Sequence, residues 1–165
     1  MSNRICGWAA IAALLIVLVG GLAGACASTP PPAAIGSAVM PDPTLTPGGV
    51  ASTDINEICT SGYARRSRDV STGTKNAVYA EYHVATHRPG DYEVDHLVPL
   101  GIGGSNDIKN LWPQPTDPRP GRLEKDDLED ELHKRICDRS VDVRTAQRDV
   151  AADWVAAYRK YVLHR

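Results

Sequence analysis

Asp95 and His96 are the residues whose types and spacing first suggest chemistry. A carboxylate next to an imidazole couples a hard oxygen ligand to a base that titrates near pH 6.5, neutral at working pH and still able to release a proton. On a regular strand two neighbours point to opposite faces. At a strand end the chain can twist so that one holds a metal while the other faces a substrate. Pro99 lies three residues on, where it ends a central ladder.

The elements that must position this pair follow from the surrounding pattern. Tyr92–Leu97 is β-rich, Gly101–Gly104 is a glycine-rich turn, and Ile108 to Trp112 is a second short apolar run. This predicts a β-hairpin with a broad loop. Pro113 to Gly121 holds four prolines and is expected to be a loop. Leu128, Leu132 and Ile136 then recur at helical spacing and define a buried stripe. Asp126, Asp127, Glu129, Asp130 and Glu131 read as a solvated face of the same helix. His133, one position off the stripe, reads as a packing or surface histidine. Upstream, Lys75–Tyr82 is expected to form a short helix. Downstream, Val143 to about Tyr161 is expected to form a last helix with an aromatic stripe.

In this order and spacing, Asp95-His96, Pro99-Leu100, Gly103-Gly104, Asn106 and Asn110-Leu111, followed by a helix through Lys125–Glu129, resemble the HNH (ββα-metal) nuclease family. Trp112-Pro113-Gln114 after the Asn-Leu pair is similar to its small exported branch, and the resemblance spans about Ile58 to Tyr161. It implies an α+β fold, a ββα-metal hairpin-plus-helix core with flanking helices. The implied activity is hydrolysis of nucleic-acid phosphodiester bonds, DNA ahead of RNA. His96 would be the general base, and one divalent cation would act as Lewis acid. Asp95 would be its ligand, suited to Mg²⁺ or Mn²⁺, with Zn²⁺ and Ni²⁺ left open. Asn110 would bridge the broad loop and hold the histidine in its working pose. The third motif position falls on Gly121, which has no side chain to ligate. Glu124 or Asp127 is therefore the expected replacement, and an HNH-like envelope protein that binds without cutting is the alternative reading. No obligate protein partner is implied.

Composition bounds these readings. The formal charge of −2 is unchanged from Asp54 onward, because Arg4 and Asp42 are the only charges before it. A basic footprint for nucleic acid must therefore be local. Arg65, Arg66 and Arg68 could supply phosphate contacts or be a solvated turn. There is no Phe, so aromatic packing falls to three Trp and six Tyr.

Residues 1–27 combine Arg4 with an apolar stretch and small residues before Cys26, the pattern of an export signal. Leu22–Cys26 looks like a lipidation site at Cys26, which would fix the chain to the outer face of a membrane. Cleavage without lipid, giving a secreted protein, and an uncleaved anchor are the alternatives. Residues 28–53, rich in Pro, Ala and Gly, are expected to be a flexible tether, and 54–165 the folded domain. Cys59 and Cys137 are the two cysteines of that domain, and an oxidising compartment predicts that they pair. Such a closure stabilises by about 4 kcal/mol in the chain-entropy model.

Overall fold

The computed structural model describes residues 40–117 and 119–164. The expected export signal, Cys26 and the first part of the tether lie outside them. The fold is α+β. Three short helices, α1 (Ile55–Ile58), α2 (Tyr63–Ser67) and α3 (Thr72–Glu81), precede the hairpin of β1 (Tyr92–His96) and β2 (Leu111–Pro115). Three more follow, α4 (Arg122–Cys137), α5 (Val143–Ala152) and α6 (Trp154–Tyr158), the last running into a π-helical turn at Arg159–Leu163. Among the described residues no helix is long and apolar enough to cross a membrane.

The hairpin is antiparallel, with His96 opposite Leu111 and Tyr92 opposite Pro115. β2 therefore runs into the stretch that the prolines marked as loop. The register explains this. Leu97 N–H donates to Asn110 O (2.7 Å) and Thr116 N–H to Asp91 O (3.0 Å). Counting by two from either bond, Pro113 and Pro115 fall at positions whose nitrogens face away from β1. A proline costs no ladder bond there.

The main core gathers Leu128, Leu132 and Ile136 of α4 with Ile58, Ile102, Trp112, Val150 and Trp154. A smaller one joins Val78 of α3 to Val94 and Leu111 of the hairpin. The Cys59–Cys137 disulfide is formed (S–S 1.98 Å) and ties the end of α1 to the end of α4 across 78 residues.

Two expected boundaries change. The second part of the expected tether, from Pro41, belongs to the folded unit. Thr46, 1% exposed, donates to Leu111 O (2.8 Å). Gly48 N–H donates to Lys109 O, and Val50 pairs with Gly104. These residues lack apolar periodicity because the Thr46 hydroxyl and backbone bonds, not an apolar stripe, hold them. The expected last helix is broken at Asp153, whose backbone is extended (φ −163°, ψ 96°) and whose side chain accepts from Ala156 N–H (2.9 Å). That N-cap ends α5 and restarts the chain as α6.

Candidate functional site

β1 delivers Asp95 and His96 to its C-terminal end, on opposite faces of the strand. Each neighbour meets different elements. His96 stands at the strand end as the sequence predicts, yet it is buried, 1% exposed. Its Nε2 lies 3.1 Å from Asn106 Oδ1. The amide orientation is fixed independently, because Asn106 Nδ2 donates to Ser67 O (2.7 Å) and Oδ1 also accepts from Asp69 N–H (3.2 Å). An amide oxygen only accepts, so His96 carries its proton on Nε2 and its lone pair on Nδ1. Burial lowers the imidazole pKa, helped by the nearby Arg68 and Lys125 charges. The Asn106 bond and Asp95 raise it, by less in sum. The ring is held neutral, as a proton acceptor requires.

Asp95 points towards α4. Its Oδ2 receives the ammonium of Lys125 at 2.7 Å, and the same Nζ donates to His96 O at 2.5 Å. Lys125 is 3% exposed. Gln114 of β2, buried, is assigned the amide orientation that satisfies both its ends, in which it donates to Asp95 Oδ2 (2.9 Å) and accepts from Arg122 N–H (3.3 Å). It thereby satisfies one open donor at the start of α4. Glu93, also on this face, lies 3.5 Å from Arg122.

Asn110, fully buried, uses both ends of its amide. Oδ1 accepts from Val98 N–H (2.9 Å) and Gly49 N–H (3.0 Å), while Nδ2 donates to Val98 O (2.9 Å) and Ser105 O (2.8 Å). It bridges the broad loop, as the resemblance implies. The residue bonded to the imidazole is Asn106 instead.

The remaining candidates are spread out. Gly121 is the N-cap of α4, and Glu124 folds back to accept from its N–H (2.8 Å) while pairing with Arg119. Burial raises the Glu124 pKa, but these partners outweigh it and keep the carboxylate below its ordinary range. Asp127 is exposed on α4. Neither carboxylate completes a shell around Asp95, and among the described residues no group of three His, Cys, Asp or Glu is arranged to hold a metal. The residues present do not fit the divalent ion the resemblance implies, because Asp95, its expected ligand, is already paired with an ammonium. Of the three arginines, Arg68 lies close enough to His96 to influence it. Arg65 and Arg66 are exposed on α2, where Arg66 caps Ser61 O.

Sequence reasoning missed Lys125, Glu129, Asn106 and Gln114. Glu129 is not part of a solvated face. It accepts from Gly101 N–H (2.7 Å), and burial raises its pKa against the opposing pull of Lys125 and of that bond. His133 Nδ1 reaches Gly101 O (2.7 Å). α4 thus grips the Gly101 peptide from both ends, and a Cβ there would lie 2.5 Å from Glu129 Oε1. The available signal was Lys125, Glu129 and His133 at intervals of four, a polar stripe beside the apolar one.

Comparison with protein-family models, with curated proteins and with solved structures finds no match for this chain.

Proposed function

We propose that residues 40–164 form an HNH-type domain in which β1, β2 and α4 are the ββα unit, and that it hydrolyses phosphodiester bonds of nucleic acid, DNA ahead of RNA. The observation that carries this reading is the state of His96. Its N–H is committed to Asn106, and burial keeps the ring neutral, so Nδ1 is the basic atom. In the proposed reaction Nδ1 takes a proton from a water as it attacks phosphorus, and the oxygen of the broken ester leaves. Arg68, exposed and beside His96, is the side chain suited to meet the phosphate. The formed disulfide and the apolar leader support a site of action outside the cytoplasm, with the domain lipid-anchored through Cys26, held by the leader itself, or released.

The test is cleavage of plasmid DNA and of RNA by the purified full chain and by its His96→Gln variant. Cleavage that falls by ~10²-fold or more in the variant is expected, the usual worth of a general base. Equal rates would remove His96 from the role. A second reading, an envelope module that binds nucleic acid without cutting it, is favoured by one observation. Asp95 is already neutralised by a buried lysine. Retention of DNA with no cleavage under any condition would select it.

A further inference from the structure

The resemblance puts a divalent cation beside Asp95. The chain supplies a positive charge there itself. Lys125 comes from the first turn of α4, and its side chain is 3% exposed. Its ammonium bonds both Asp95 Oδ2 (2.7 Å) and His96 O (2.5 Å). Two oxygen atoms stand in for the water this buried side chain gives up. The carboxylate oxygen it holds also receives the Gln114 amide. A divalent ion binds a carboxylate oxygen at ~2.0–2.2 Å. On either oxygen of Asp95 it would stand close beside the ammonium, so like charges oppose it there. Of the two carboxylates expected to complete its shell, Glu124 is committed to Gly121 N–H and Arg119, and Asp127 faces solvent, while Asp126 and Glu129 lie close enough to Asp95 to feel its charge.

We propose that Lys125 is the resident cation of this site and that the site works without a divalent metal. The ammonium neutralises Asp95 and, through His96 O, fixes the backbone that carries the imidazole. It is a positioning residue, buried beneath the reacting atoms. The proposal takes from the preceding reading only the framework in which a cation is expected beside Asp95, so the two can fail separately.

Mn²⁺ is the probe, added to the full chain after chelation and desalting, with bound ion read by the loss of the free-ion electron paramagnetic resonance signal. Wild type and Asp95→Asn should bind Mn²⁺ equally, through surface carboxylates alone. Lys125→Met, which keeps the length and removes the charge, should gain one site that Lys125→Met/Asp95→Asn loses. Wild-type binding that Asp95→Asn abolishes overturns the proposal, as does a folded Lys125→Met that gains no site. Should Lys125→Met fail to fold, the wild-type and Asp95→Asn comparison decides alone. In the cleavage assay, equal rates in EDTA and in Mn²⁺ support the proposal. Cleavage abolished by EDTA overturns it and leaves the nuclease reading standing. Absence of cleavage in both sinks the nuclease reading, while Mn²⁺ binding still decides this one.

Discussion

On one face of β1, Val94 packs with Val78 of α3 and Leu111, and His96 closes onto Asn106. On the other, Glu93 and Asp95 meet Arg122 and Lys125 of α4. The first environment discharges a titratable group by burying it among apolar and amide partners. The second sets opposite charges against each other. Alternation along a strand therefore does more here than separate inside from outside. It places consecutive residues in environments of opposite electrostatic character, joined by the Lys125 bond to His96 O.

The contrast can be broken most severely at Asn110, which supports both faces through the loop that joins the strands. Asn110→Ala leaves four backbone groups to find new partners, and at about 1–3 kcal/mol for each buried group left unmade the loss should be on the order of 4 kcal/mol. Denaturant unfolding measures it, and a loss below about 1 kcal/mol would mean that water replaces the amide. Lys125→Ala attacks the charged face. Breaking a buried pair costs ~3–5 kcal/mol, and Asp95 keeps 23% of its side chain exposed, so the lower end is expected. Adding Asp95→Asn should recover part of that loss. If Asp95→Asn changes stability by the same amount alone and in the Lys125→Ala background, the two are not energetically coupled.

The neutral face is addressed by His96→Gln, whose expected ~10²-fold fall in cleavage corresponds to about 2.7 kcal/mol of barrier. Stability should change much less than in Lys125→Ala. The smallest effect is a pH slope. Burial, together with the nearby Arg68 and Lys125 charges, outweighs the Asn106 and Asp95 contributions and puts the folded pKa of His96 below its unfolded value. Between the two the unfolded chain binds the extra proton, so stability rises with pH and is lost as pH falls below about 6.5. Unfolding curves across pH 5–8 should be flatter for His96→Gln by this one group. An unchanged slope would mean the ring is already solvated in the folded state.

Much of the fold is legible in the amino-acid sequence. The Asp-His pair, the two apolar runs around a glycine-rich turn and the stripe Leu128, Leu132, Ile136 read directly as hairpin and helix, because apolar periodicity records which side chains leave water. The cysteine pair can be read because only two remain to choose from. Polar burial leaves no such record. That Lys125 rather than Glu124 turns to the hairpin depends on Glu124 being drawn back to Gly121 N–H, a choice made by the geometry of the helix start. That Asn106 rather than Asn110 meets the imidazole depends on how the loop closes over Ser67. Residues 41–53 carry no apolar pattern, and their place is set by backbone donors and one buried hydroxyl, Thr46. Asp153 is visible as a capping type, yet nothing local says that it is used mid-run.

The bridge from Cys59 to Cys137 has a consequence for the life of such a chain among proteases. It encloses the whole hairpin, the loop at His83–Asp91 and the proline-rich connection before α4. A single cut anywhere within that enclosure severs the polypeptide but not the molecule. The two pieces stay covalently joined, with the residues of the site divided between them or kept on one side according to where the cut falls. A nicked chain would migrate as one species until a reductant separates it, so loss of intact polypeptide and loss of the folded domain are two different events.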